Sequence, residues 1–154
     1  MGRKLAIDVG RSRLGIAISD PSGIISSPLD SVLRADDDSQ TVQQILKIVV
    51  DNGVEEIFVG DPISLSGEQT ASTADARDFA AVLQTACRVP VRLIDERFTT
   101  VSAARNLRDS GKNAKSSKGF IDSASAVVIL ESALQTERVS GRAAGIAVGD
   151  LLGS

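Results

Sequence analysis

The chain has 154 residues, 42% of them apolar and 24% charged, with a formal net charge of −3, enough for one domain with a substantial core. It contains no histidine, tyrosine or tryptophan, and Cys87 is its single cysteine; this excludes Ser-His-Asp and Cys-His catalysis, zinc sites built on histidine or several cysteines, and an internal disulfide. No apolar run approaches the roughly 18 residues of a membrane span, and "MGRKLAIDVG" lacks the apolar core of a secretory signal, so a cytoplasmic protein with no membrane partner is expected. Any chemistry must rest on Asp, Glu, Lys, Arg, Ser, Thr or a metal held by oxygen ligands.

"KLAIDV" and "LGIAIS" read as two strands joined by the turn "GRSR", a hairpin. "DPSG" is a second turn, and "IISSPLDSVL" a third strand, with Pro28 marking an edge or a bulge. The period then becomes helical. Val42, Ile45, Leu46, Val49 and Val50 share one face, Asp38 or Ser39 can cap it, and Gly53 ends it. "EEIFVG" is a buried-type strand, "DPISLSGE" a loop, and a helix is expected from about Glu68 to Ala86. Cys87 ends its apolar stripe and reads as a small buried residue. "VPVRLID" is a strand, followed by a helix from Thr100 to Gly111 and the polar loop "KNAKSSKG". "FIDSASAVVILESALQ" is the last helix. The Gly-rich remainder is weakly patterned, so one domain over residues 1–140 and a disordered tail over 141–154 are expected. The order β-β-β-α-β-α-β-α-α gives an α/β fold: a five-stranded mixed sheet, three antiparallel strands then two parallel ones, with helices on both faces.

Charge is unevenly distributed. Residues 35–87 hold ten acids and two bases, and the rest of the chain holds the other 15 bases and ten acids. A basic surface on an acidic protein is therefore permitted. Asp8 lies within the first apolar strand, where an isolated carboxylate costs several kcal/mol or more unless it is paired or metal-bound. An ion pair with Arg11 or Arg13, or an exposed sheet face, would account for it locally. Asp95 and Glu96 end the last strand, where ligands of a parallel sheet collect; an Asp-Arg pair in a strand-end turn is the other reading. Asp122 opens the final helix, where the dipole also favours a carboxylate. Arg105, Arg108, Lys112, Lys115 and Lys118 form a basic stretch that reads either as a solvated helix end and loop or as a phosphate grip.

Taken together, "AIDVGRSRLGIAISD", "FVGDPISLSGE", "LIDERFTTVSAA" and "FIDSASAVVIL" resemble the YqgF/RuvX family over about residues 3–135. That family has an RNase H-like fold, and its members are described as Holliday-junction resolvases or as nucleases maturing the 5′ end of pre-16S rRNA. The resemblance implies that Asp8, Glu96 and Asp122 form an acidic triad, with Asp8 on the central strand. It implies Mg²⁺ or Mn²⁺ as the cofactor, hard cations suited to carboxylate oxygens, in a two-metal hydrolysis. Arg11, Arg13 and Arg97 would hold phosphates beside the metals, while Thr99 and Thr100 read as caps of the next helix. The partner would be branched DNA or precursor rRNA, and cutting a junction symmetrically would require a homodimer, although no dimer seam is legible.

Two departures stand out. The family has Leu-Pro where this chain has "DP", so Asp61 is either a fourth site carboxylate or a loop acid. Ser125 replaces an alanine, which places a hydroxyl one turn from Asp122. Two other functions compete: a nucleic-acid-binding module without catalysis, and a relative of the sugar-kinase and actin ATPases. The latter need two such domains, and this chain has room for one.

Overall fold

The computed structural model describes residues 2–64, 66–98 and 123–152. Three strands, β1 (Arg3–Val9), β2 (Arg13–Ser19) and β3 (Ser26–Leu33), are followed by α1 (Asp38–Asn52), β4 (Val54–Asp61), α2 (Ala71–Ala86) and β5 (Val91–Asp95). A single 3-10 turn, Glu96–Phe98, follows β5. The described chain resumes before α3 (Ala124–Ser140), β6 (Ile146–Ala147) and α4 (Val148–Leu152). The helix expected over residues 100–111 lies outside the described residues.

The sheet order is β3-β2-β1-β4-β5-β6. β1 to β3 form the antiparallel meander, and β4 and β5 run parallel to β1. Pro28 lies on β3 at the sheet edge, where its missing donor does least harm. Because side chains alternate along a strand, β1 feeds two cores. Leu5 and Ile7 pack with Val42 and Ile45 of α1 and Phe79 and Leu83 of α2. Ala6 packs on the opposite face with Ala17, Phe58 and, from α3, Ala126, Ile129, Leu130 and Ala133. The alanines on that second face let α3 lie close to the sheet.

Local chemistry explains where the elements stop. The Asp37 carboxylate caps α1 by accepting from the Ser39 amide at 2.9 Å, and Gly53 closes the helix in the left-handed region at φ 63°. α2 begins at Ala71 rather than near Glu68 because Thr70 and Thr73 form a reciprocal capping box there. β3 begins at Ser26 rather than Ile24. The Asp20 carboxylate accepts from the amides of Ile24 and Ile25, holding both in the turn with their side chains exposed. Cys87 is only half-buried and caps the end of α2.

Among the described residues the sheet has six strands, not five, and the sixth comes from the segment expected to be disordered. β6 pairs antiparallel with β5 through Arg92↔Ala147 and Leu93↔Ile146. The Arg92 guanidinium donates to the carbonyls of Ala144 and Gly145. The Glu137 carboxylate accepts from the Ala144 amide at 3.1 Å, and Ala144 and Val148 are buried, one in each core. Two apolar anchors make no visible period, so tertiary partners rather than local pattern order this segment. Deleting residues 142–154 should cost about 3 kcal/mol, on the scale of burying one valine and an alanine, and a urea unfolding midpoint reads this directly.

Candidate active site

Asp8 is the last buried residue of β1, 1% exposed. It shares the α3 face of the sheet with Ala6, two residues earlier. Gly15 stands opposite it on β2. On its other side β1 and β4 pair as far as Ile7↔Val59, so Gly60 is the next residue of β4 beside Asp8, about 4.8 Å away across the sheet. Neither neighbour has a side chain to cover the carboxylate.

Glu96 fills the space above Gly60. It follows β5 in the 3-10 turn, two residues beyond Ile94 of the α3-side core, and is 8% exposed. A Cβ at Gly60 would collide with Glu96 Oε2 and would lie 2.6 Å from Ile129 Cδ1. Glycine at position 60 therefore makes room for the Glu96 carboxylate over the β4 residue that lies beside Asp8. The sequence signal for this was available, since a glycine in "FVGDP" marks a close approach.

Above these strand ends opens a cleft of about 590 Å³, lined by Asp8, Gly10, Arg11, Arg34, Pro62 and, from α2, Ala71, Ser72 and Asp75. Arg11 is exposed at its rim, and Arg13 is half-buried at the start of β2. Arg34 organises the wall. It donates to the Gly10 carbonyl at 3.0 Å, to both Asp75 oxygens at 2.7 and 2.8 Å and to Asp38 at 3.1 Å. Its guanidinium also lies 5.7 Å from the centre of the Phe79 ring. One cation thus joins the β1–β2 turn to the starts of α1 and α2. The Arg34 hydrogen bonds hold the Asp75 carboxyl below its ordinary range. Sequence reading missed Arg34, because its partners lie up to 41 residues away.

Asp61 points the other way. It is 4% exposed and, one residue after Gly60, projects from the α2 face. There the Arg77 guanidinium donates to its two oxygens at 3.0 and 2.9 Å. Arg97 is engaged with Asp95 through Nε at 3.1 Å and a terminal nitrogen at 2.6 Å, which lowers the Asp95 pKa. Asp95 and Arg97 thus form the strand-end pair that sequence reading held as an alternative. Asp122, Thr99, Thr100, Arg105, Arg108, Lys112, Lys115 and Lys118 lie outside the described residues. Among the described residues no group of three or more metal-capable side chains occurs. The Ser125 hydroxyl is fully buried at the start of α3 and has no hydrogen-bond partner among the described residues. No described helix is long and apolar enough to cross a membrane.

A divalent cation fits what is present. Two carboxylates, both nearly excluded from solvent, face one side of the sheet around a glycine gap, and they offer hard oxygen donors.

Residues 2–136 match the RuvX family, described as Holliday junction resolvase. The chain is 46% identical over 148 residues to a "Putative pre-16S rRNA nuclease" of Clavibacter michiganensis, covering 96% of this chain and 92% of the relative. It is 49% identical over 144 residues to a protein of the same name from Leifsonia xyli, covering 94% and 92%. Among solved structures, Thermus thermophilus RuvC in complex with a Holliday junction substrate superposes with a TM-score of 0.58 at 16% identity, covering 90% of this chain and 96% of that one. The fold is therefore that of RuvC, an RNase H-like α/β sandwich.

The lowered Asp75 and Asp95 pKa values contribute stability that is present above the unfolded carboxylate value near 4. That stability is lost as pH falls through the folded values. Asp75→Asn should therefore be less stable than wild type at pH 7, and the difference should shrink as pH falls below the unfolded carboxylate value. Urea midpoints across this range measure it.

Proposed function

This chain belongs to the RuvX family, and we propose that it is a divalent-metal-dependent endonuclease that hydrolyses phosphodiester bonds in structured nucleic acid. The observation that supports the proposal is that the buried Glu96 carboxylate lies over Gly60, the β4 residue beside the buried Asp8. Precursor 16S rRNA is the substrate favoured by the name shared by the relatives at 46% and 49% identity. Holliday-junction DNA is the second reading, supported by the description of the family.

In this proposal Asp8, Glu96 and Asp122 hold Mg²⁺ or Mn²⁺. When bound, the cation supplies an acidified water and charge neutralisation at the scissile phosphate. Asp8 is fixed by its place on the central strand, with helices over both faces, so its oxygens are oriented before substrate arrives. Glu96 sits on the turn after β5, and Gly60 admits its carboxylate. Arg11, exposed at the cleft rim, would meet a phosphate beside the cation. Arg97 keeps Asp95 as its partner, and its part in the proposal is to brace the Glu96 turn. The basic residues Arg105, Arg108, Lys112, Lys115 and Lys118 would grip the flanking backbone without reading sequence. Asp61 takes no part, being neutralised by Arg77 on the far face.

The test is cleavage of precursor rRNA and junction DNA in Mg²⁺ or Mn²⁺. Loss of an outer-shell partner of a metal ligand already costs 10–100-fold, so Asp8→Asn should lose more than about 100-fold. Gly60→Ala should also lose activity, by displacing Glu96, whereas Asp61→Asn should remain active. Equal cleavage by wild type and Asp8→Asn would overturn the proposal.

A further inference from the structure

We propose that Ser125 is a positioning residue for the acidic site, its buried hydroxyl kept without a protein partner so that it can hold an oxygen, of a carboxylate or of a water, around a divalent cation at Asp8 and Glu96. This rests on the reading of those two residues as cation ligands.

Among the described residues, two buried hydroxyls, those of Ser26 and Ser125, have no hydrogen-bond partner. Ser26 is half-buried on the edge strand β3. It pairs with Ser19, whose hydroxyl accepts from the Lys4 amide, so it lies at the end of the sheet where β1 begins. Ser125 is fully buried. An unpaired hydroxyl in such a place costs stability, and alanine is the better helix former. Folding alone therefore gives no reason for serine here.

Gly60 locates the hydroxyl. A Cβ at that position would meet both Glu96 Oε2 and, at 2.6 Å, Ile129 Cδ1, so Ile129 and the Glu96 carboxylate share the space above β4. Ser125 lies four residues before Ile129 and hence on the same side of α3. The helix runs against β1 and β4. At its start Ser123 accepts from the Ile16 amide of β2 at 3.0 Å, and near its end Arg138 donates to the carbonyl of Gly23, beyond β2, at 3.1 Å. β2 is antiparallel to β1, and β1 is parallel to β4. Moving back from Ile129 to Ser125, about 6 Å along the axis, therefore leads from Gly60 towards the strand ends, where the cleft opens beside Asp8. Further along the same ridge Ile129 and Ala133 are apolar core. Ser125 marks the point where that ridge turns polar.

The chemistry suits the place. A hydroxyl brings one donor and no charge, so it can bond a carboxylate or a water without opposing a cation. Mg²⁺ held by few carboxylates keeps several waters, and groups that orient such ligands typically change metal affinity 10–100-fold.

Ser125→Ala removes the hydroxyl, and Ser26→Ala makes the same change away from the site. Mn²⁺ calorimetry and melting temperatures in chelator and in Mn²⁺ are compared with wild type. Ser125→Ala is expected to melt in chelator at or above wild type, because an unpaired buried group is gone. It should nevertheless bind Mn²⁺ about 10-fold more weakly and gain less melting temperature when Mn²⁺ is added. Ser125→Cys, with a weaker donor in a similar volume, should fall between, and Ser26→Ala should bind as wild type does. Wild-type affinity in Ser125→Ala overturns the proposal, as does an equal loss in Ser26→Ala; Ser125→Cys decides the matter if Ser125→Ala does not fold. Failure of wild type to bind Mn²⁺ would instead remove the acidic-site reading and this proposal with it, an outcome visible before any variant is made.

Discussion

The structure turns on one constraint: a carboxylate stands on the central strand of a sheet covered on both faces. Moving such a group out of water costs several kcal/mol unless partners or a cation compensate, and a central strand cannot bend away to expose it. The surroundings of Asp8 follow from this. Gly15 and Gly60 leave its flanks open. Glu96 occupies the room that Gly60 provides. The small residues Ala6, Ala17, Ala126 and Ala133 bring α3 down onto the same face, so the carboxylates lie in a dry layer where electrostatic interactions are strong. A site of this kind can be built only where the strand ends, because further along β1 the same face is occupied by core.

Guanidinium groups hold the neighbouring carboxylates. Asp61, Asp75 and Asp95 each have an arginine, Arg77, Arg34 and Arg97, and these pairs are bidentate, the geometry in which guanidinium is strongest. Arg34 goes further, since its bonds to Gly10, Asp38 and Asp75 join three elements at the cleft wall. Lysine has no planar fork and could not reproduce that set.

Much of this was legible in the sequence. The meander, α1, β4 and β5 follow from period and turn chemistry, because each has a clean apolar pattern bounded by Gly, Pro or Asp. Asp8 stood out because an acid inside "LAIDV" contradicts its surroundings. What stayed hidden depends on contacts between distant segments. "GRAAGIAVGDLL" has no period, and β6 exists because Arg92 and Glu137 hold its backbone. Asp61 and Asp8 look alike in sequence, each an acid at the end of an apolar run. Strand parity sends them to opposite faces, and only the fold shows that Arg77 waits on one of them. The bonds of Ser123 to β2 and β3 depend on a bulge that no local pattern announces.

The pairing also bears on how an acidic chain would approach a polyanion. The surplus of acids over residues 35–87 is screened beyond about 8 Å at physiological salt, so it need not oppose binding if the local field at the cleft is favourable. Arg34 and Arg77 cannot readily be recruited by phosphate, because each would leave an aspartate uncompensated in a partly buried setting. In the proposed mechanism the attraction for phosphate falls to Arg11 and Arg13, to the basic residues from Arg105 to Lys118 and to the cation held by the carboxylates. Metal binding and nucleic-acid binding would be coupled in such a site, because a cation held by Asp8 and Glu96 offsets carboxylate charge where the phosphate must sit.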